Sequence, residues 1–430
     1  MVKKWVSLTF VSLLLFLTIL PIANAIAFSP TGIETKQNAQ FAREIVISSD
    51  YEFGDSWTGD GTVDNPYVLI PKIWYGTRIA ISNTTSHFII GDIILQAHGP
   101  DYHGSDETTL SIEFSNVTNG MIVNSIIKPF FWPPGSPYSL DDSTGIVIEN
   151  SSRILVDTCL IADSGRGLWI NNSSSIIITG NQIVGNNIGI DLDESDNTSI
   201  TENKIIENTD YGIRILEGCY NSTIIGNYLG YNGILNALDN ETSTIWDKDA
   251  HGNFWDDYDE SGAYNISGLG SNFDGSPQLL NQDVLPPNIE LELGSKYYWW
   301  GPYTTPTWTL SNLGPVISSF NASVVDDSGI DRVYLCIGST WYEMTESSES
   351  DRYTYIFPNE YYDFFAQFYV WANDTAGNYW TSPIWKFYYH GQPTFPSSDN
   401  DDVGNTLMIY LGIGLIVTLS IIVIFKVSKR

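Results

Sequence analysis

The chain has 430 residues, room for two or three domains, with 43% hydrophobic and 13% aromatic residues, which is the composition of a folded protein. Its formal net charge is −31, and five of the 19 basic residues flank the terminal apolar segments, so fourteen remain to face all 50 acidic groups between them. Such a body lacks the basic face that phosphate binding needs, which excludes nucleic acid and leaves divalent cations or neutral glycans, and three cysteines (Cys159, Cys219, Cys336) without C-x-x-C exclude a disulfide framework.

Residues 1–25 predict a secretory signal peptide. Lys3 and Lys4 precede an uncharged apolar run, and Ala23-Asn24-Ala25 offers a cleavage site. An uncleaved N-terminal helix is the alternative. Residues 26–53 are a lead-in, and the segment 54–70 (GDSWTGDGTVDNPYVLI) predicts a first coil.

A repeat follows. T-G-N-Q-I, T-E-N-K-I and I-G-N-Y-L place Asn181, Asn203 and Asn227 at spacings of 22 and 24. Thr158 of V-D-T-C-L lies 23 residues before Asn181, and Ser125 of V-N-S-I-I and Asp92 of I-G-D-I-I extend the series backwards in steps of 33. Each phrase leads to a G-I-like strand: Gly167-Leu168, Gly189-Ile190, Gly212-Ile213. Strands this short cannot bury a face alone, so each coil must stack on the next. The prediction is a right-handed parallel β-helix of about eight coils and ~40 Å. Inward Ile and Leu stack, and each Asn amide bonds its counterpart in the next coil and the turn backbone. The 33-residue steps imply insertions near 96–108 and 129–143, loops of the kind that carry function on a solenoid.

These phrases, with H-G-N-F-W-D-D-Y at 251–258, the Gly/Asp-rich tail at 270–280 and the opening G-D-G-T-V-D-N-P-Y-V-L, resemble the NosD-like family of periplasmic and surface β-helix proteins. The resemblance covers about 54–285. It implies the pectin-lyase-like fold and, by the family's link to copper-site maturation of nitrous oxide reductase, an accessory role. The chain departs from that role: it has five His and only Met121 as a solenoid Met, too few soft donors for copper. A solenoid with sequons and a membrane tail also looks like archaeal cell-surface proteins.

Pro286-Pro287 breaks the pattern. Residues 286–390 show longer alternating strands around the turns D-D-S-G-I and N-D-T-A-G-N, which predict a β-sandwich similar to immunoglobulin-like domains of microbial surface proteins. Its many Trp residues are expected in packing, with a sugar-stacking patch as the alternative. Residues 391–405 form a polar stalk. Residues 406–425 predict a transmembrane helix: the uncharged run Leu407–Phe425 would span ~28 Å. Lys426, Lys429 and Arg430 make 426–430 the cytoplasmic tail. The expected location is the cell membrane, single-pass, with the N-terminal ectodomain outside.

No catalytic residue is predicted. Glycoside hydrolysis needs two carboxylates across a cleft, and no G-H-G or R-x-K phrase is present. Arg153, Arg166 and Arg214 lie in the repeats without a lyase-like set, and Asp141-Asp142 falls in an insertion. Calcium-type ligands are Asp191 and Asp193, with Glu194 and Asp196 beyond, and Asp256, Asp257 and Asp259. Each group has plain acidic surface as its alternative, as do Asp60 with Asp64. His98, Asp101, His103 and Asp106 form a further candidate set. No cofactor is required. Sequons stand at Asn83, Asn116, Asn150, Asn171, Asn172, Asn197, Asn221, Asn240, Asn265, Asn321 and Asn373. The expected function is non-catalytic recognition of glycans or envelope proteins. The alternatives are an extracellular polysaccharide lyase or glycosidase, and a NosD-like accessory factor for a membrane complex.

Overall fold

The computed structural model describes residues 44–388 apart from 55, 70–72, 76–77, 97–109, 129–142, 292–306, 310–316, 338–339, 349, 362–366 and 383–384. The signal segment, the stalk, the C-terminal apolar run, Asp141-Asp142 and the His98–Asp106 set lie outside the described residues. Among the described residues no helix is long and apolar enough to cross a membrane, and regular structure is strand throughout.

Residues 44–279 wind through three sheets, of eight, eight and nine strands. Sheet 1 holds Arg78–Thr84, Leu110–Val117, Thr144–Glu149, Arg166–Asn171, Ile188–Asp193, Tyr211–Ile215 and Leu235–Asp239, preceded by Glu44–Ile47. Sheet 2 includes Ser152–Asp157, Ser174–Thr179, Ser199–Thr201 and Thr223–Ile225. Sheet 3 includes Ile126–Ile127, Leu160–Ala162, Gln182–Val184, Lys204–Ile206, Tyr228–Gly230 and Phe254–Trp255. Pairing between coils is parallel (Ile146 with Leu168, Leu168 with Ile190, Ile190 with Ile213); the hairpin of Trp57–Thr58 with Tyr67–Leu69 that opens sheet 2 and the small ribbon of Tyr264–Asn265 with Phe273–Asp274 are antiparallel. This is a parallel β-helix. Aliphatic columns such as Ile127, Ile161, Ile183, Ile205 and Leu229 fill its interior.

The repeating glycines have a steric cause. A Cβ on Gly167 would lie 2.6 Å from the carbonyl oxygen of Gly189, and one on Gly189 would lie 2.5 Å from that of Gly212. The coils approach so closely at this corner that no larger residue fits without a shift.

The Asn series stacks as expected. Asn181 Nδ2 donates to Asn203 Oδ1 at 2.9 Å, Asn203 to Asn227 at 3.0 Å, and Asn227 to Asn253 at 3.0 Å. Each amide also reaches carbonyls of its own turn and the previous coil, as Asn181 does to Thr179 O and Val156 O. The register of the older repeats differs by one residue from the sequence alignment. Cys159, not Thr158, precedes Asn181 in the ladder, its N–H donating to Asn181 Oδ1 at 2.8 Å. Likewise Ile93, not Asp92, precedes Ser125, donating weakly at 3.4 Å. Thr158 and Asp92 instead share positive φ with Asn124, Gly180, Glu202 and Gly226, and so occupy the left-handed turn position one residue earlier. A second ladder, absent from the sequence reading, joins Asn186, Asn208 and Asn232.

Aromatic clusters close both ends. Phe53, Trp57, Tyr67 and Phe88 cover the first coils, and Trp246, Trp255 and Tyr264 cover the last.

Beyond the helix lies a two-sheet unit. Asn288–Leu291, Ile317–Val325, Arg352–Tyr361 and Thr345–Glu346 form one sheet. The other contains Thr307–Thr309, Trp385–Tyr388, Gln367–Asp374, Ile330–Ile337 and Thr340–Glu343, with Tyr379–Thr381 paired at its side. Phe320, Ala322 and Val324 pack against Val333, Leu335, Phe368 and Val370 between the sheets, so the unit is a β-sandwich. Three of its tryptophans do pack, but against the solenoid instead of between the sandwich's own sheets. Trp341, Trp371 and Trp380, with Tyr334 and Tyr369, meet Ile94, Ile126, Leu160 and Ala162 on the outside of sheet 3. The line continues in polar form. Gln182 and Tyr379 exchange amide hydrogen bonds, Lys204 donates to Asn378 Oδ1, and Lys128 donates to Thr381 O and sits 3.8 Å from the Trp380 ring centre.

Candidate functional site

The outer face of sheet 1 carries a compact polar and aromatic patch on three consecutive coils. Arg166 pairs in register with Ile188, and Ile188 with Tyr211. Beside them Trp169 pairs with Asp191, and Asp191 with Arg214. Arg166 and Trp169 both lie part-exposed because the tight glycine corner at Gly167 interrupts strict alternation (burial runs intermediate, buried, buried, intermediate).

Asp191, only 1% exposed, anchors the patch. Arg214 grips it through two parallel bonds, Nε to Oδ1 at 2.8 Å and an Nη to Oδ2 at 2.7 Å. Arg166 Nε lies 3.1 Å from Oδ2 on the opposite side. Such fork-to-carboxylate pairing fixes the guanidinium planes. The hydrogen bond to Asp191 raises the Arg214 pKa further, so its charge is permanent. The guanidinium of Arg166 lies 5.1 Å from the Trp169 ring centre, and that of Arg214 5.9 Å from Tyr211. Two guanidinium groups thus meet on Asp191, and Asp193, close enough to act on Arg214, balances the second of them. Arg166 and Arg214 were visible in the repeats. Arg214 is the register partner of Asp191 on the next coil, whereas Arg166, opposite Ile188, reaches Asp191 across the strand.

The predicted calcium ligands stand in other company. Asp191 is held by the two arginines. Asp193 pairs in register with Asn171 on the same outer face. Asp256 and Asp257 end the second Asn ladder, accepting Asn236 Nδ2 at 2.7 and 3.1 Å. Asp256 also takes Tyr231 N–H, and Asp257 the Tyr264 hydroxyl. Asp259 is exposed and closes a turn with Ser261 N–H. Among the described residues the three acidic groups that do converge are Asp283, Asp326 and Asp374, which the sequence reading did not single out. Asp326 and Asp374 sit in the D-D-S-G-I and N-D-T-A-G-N turns.

Residues 136–260 match the family described as Periplasmic copper-binding protein (NosD). The matched stretch falls within the solenoid span 44–279. Copper requires thiolate, thioether or imidazole donors. Cys159 and Cys219 lie apart in the helix core and Cys336 in the sandwich interface. Burial pushes the Cys159 thiol up to about 12 and the Cys219 thiol up to about 11. Met344 is in the sandwich core, and exposed His251 faces the Asp249 carbonyl. No described group of three ligands contains Cys or His, so the described residues do not fit the copper of the NosD description.

No curated protein matches the chain. Among solved structures it is similar to a variant of the periplasmic alginate epimerase AlgG (17% identity, TM-score 0.30, 45% of this chain and 45% of that one). It is also similar to full-length tailspike protein 2 of the Escherichia coli O157:H7 bacteriophage CAB120 (15%, TM-score 0.28, 74% and 45%). ORF18 of Geobacillus virus E2 is a third (9%, TM-score 0.23, 80% and 76%). The chain spans less than half the length of the first two. At these scores the likeness says nothing of activity.

Proposed function

We propose that this solenoid is a non-catalytic recognition protein of the cell surface, and that the outer face of sheet 1 binds glycans. The observation that carries this is the Arg166–Asp191–Arg214 bridge with Trp169 and Tyr211 beside it. Aromatic faces stack on the C–H face of a sugar ring, and fixed guanidinium groups donate to ring hydroxyls or carboxylates. The fixed guanidinium forks of Arg166 and Arg214 favour glycans that carry carboxylates. Asp191 supports binding over catalysis: it is buried and both of its oxygens are taken by guanidinium groups, which leaves neither oxygen free to meet a substrate. The C-terminal run Leu407–Phe425, followed by Lys426, Lys429 and Arg430, would tether the solenoid outside the membrane.

The test is binding of the full chain to neutral and uronate-containing oligosaccharides. Trp169→Ala and Arg166→Ala are expected to weaken the uronate interaction about tenfold each, given ~1.5 kcal/mol per stacked or charge-assisted contact. No oligosaccharide binding, or binding that both variants leave intact, sinks this reading. Release of unsaturated or reducing-end products would move the protein to the polysaccharide-active alternative. The family match favours a second reading, an accessory factor for a membrane complex. Co-purification of a transporter or oxidoreductase with the tagged chain tests it.

A further inference from the structure

Asp283 lies in the linker that leaves the solenoid, Asp326 in the turn after Ile317–Val325, and Asp374 at the end of Gln367–Asp374. One carboxylate oxygen of each lies within 4.8 Å of the other two. The two sandwich loops are tied together, Thr375 N–H donating to Gly329 O at 2.9 Å and the Thr375 hydroxyl to Ser328 O at 2.7 Å. Asp374 is 1% exposed and accepts the backbone and side-chain amides of Asn378 at 2.8 and 2.6 Å. Asp326 Oδ1 accepts the N–H and hydroxyl of Ser328. Asp283 Oδ1 accepts Leu285 N–H at 3.1 Å. The other oxygen, Asp283 Oδ2, is buried and receives no hydrogen bond.

A buried carboxylate oxygen without a donor bears the full cost of leaving water, and a bound ion beside it would offset that cost. The neighbouring cation does not fill the role. Lys204 comes from the solenoid and spends its ammonium on Asn378 Oδ1. One ammonium beside three carboxylates leaves two negative charges, the charge a divalent ion neutralises. Oxygen-only donors select a hard cation. Three carboxylates from three separate segments suit the flexible coordination of Ca²⁺ better than the tight octahedron of Mg²⁺.

We propose that Asp283, Asp326 and Asp374 bind one Ca²⁺ ion that locks the sandwich onto the solenoid. The ion joins the linker to both loops at the point where Lys204 and Gln182 of the solenoid already meet Asn378 and Tyr379. Docking of the two units is then calcium-dependent, and the protein is a rigid body where calcium is abundant, as outside cells.

The experiment is a titration of the detergent-solubilised full chain with CaCl₂, read by calorimetry and thermal unfolding in about 0.5 M salt, where diffuse binding to the acidic surface is screened. The expected result is one saturable site, a rise in the unfolding midpoint on adding Ca²⁺ and its loss with EDTA. Asp283→Asn and Asp326→Asn, both in partly exposed positions outside the cores, should each weaken the site about tenfold or more, since even outer-shell changes do so, with the circular dichroism spectrum unchanged. A chain that binds no Ca²⁺ at millimolar concentration overturns the proposal. So does a Ca²⁺ response that both variants retain. An equal midpoint shift with Mg²⁺ overturns the choice of ion.

Discussion

Asn253 donates its backbone N–H to Asp274 Oδ2 at 2.7 Å, and the indole of Trp255 donates to the same oxygen at 3.0 Å. Every Asn earlier in the first ladder donates its backbone N–H and its side-chain amide to the next side-chain oxygen, so the donors all point along the solenoid. The last rung therefore needs a group that only accepts, and an ionised carboxylate is such a group. The second ladder ends the same way, on Asp256 and Asp257.

Asp274→Asn tests this termination. The replacement is nearly isosteric at a fully buried position, but its amide would face Ser276 N–H, which now donates to Oδ1 at 2.9 Å. Two donors would then oppose each other out of water. The expected loss is about 2–3 kcal/mol, measured by urea unfolding, and a loss under 0.5 kcal/mol would show that the ladder does not depend on a charged end.

Gly189→Ala separates steric fit from backbone freedom. Gly189 does not have positive φ, so alanine alone would stabilise by about 0.4–1 kcal/mol through the unfolded chain. The 2.5 Å approach of its Cβ to Gly212 O reverses the sign. Net destabilisation of about 1–3 kcal/mol is expected from overpacking, and a stabilised variant in thermal unfolding would contradict the close stacking.

Asp50 ties the first coil to the second and sets a pH dependence. Burial alone would raise its pKa, but hydrogen bonds from the Thr84 hydroxyl, the Ser86 and Thr85 N–H groups and the Ser86 hydroxyl outweigh that and hold it well below the usual carboxylate range. A folded-state pKa below the unfolded one gives stability that is complete above the unfolded value, about 3.9. That stability is lost as pH falls toward the folded value. Asp50→Asn should cost about 1–3 kcal/mol at pH 7, with the gap to the parent closing in unfolding curves below about pH 4.

Trp380→Ala addresses docking. Its ring carries the Lys128 ammonium and packs on both the Leu160 and the Val184–Leu280 clusters. Loss of about 2–3 kcal/mol is expected for a half-buried Trp. Faster proteolysis in the 281–287 linker and a larger radius by X-ray scattering should accompany it. An unchanged scattering profile with unchanged stability would mean that the aromatic patch is not what holds the sandwich.

Stacked sequons should compete. Asn172 Nδ2 lies 2.6 Å from Asn150 Oδ1, and Asn116 Nδ2 2.9 Å from Asn83 Oδ1. Branched glycans cannot leave from amides one coil apart, about 4.8 Å. Glycopeptide mass spectrometry of the intact span should find either partner of each pair occupied in a molecule, and regular double occupancy would refute the stacking at that corner.

The sequence by itself determined the solenoid. Coil length is imposed by periodic Gly, Ile and Asn, and those residues act on their own counterparts one turn away, so a spacing near 22 was enough to place the Asn ladder and the glycine corner. It misplaced Thr158 and Asp92 by one residue because the turn before each rung tolerates Asp, Thr, Gly or Glu alike at positive φ, and only hydrogen bonding tells Cys159 from its neighbour. Three things needed the tertiary structure. The Arg166–Asp191–Arg214 bridge joins residues whose partnership depends on which side of a kinked strand each faces. The docking line along sheet 3 depends on the sandwich turning its Trp and Tyr face outward, and alternation of apolar residues cannot distinguish an interior face from an interface. The Asp283, Asp326 and Asp374 group gathers residues from a linker and two distant turns, because proximity across a domain junction leaves no periodic trace in the chain.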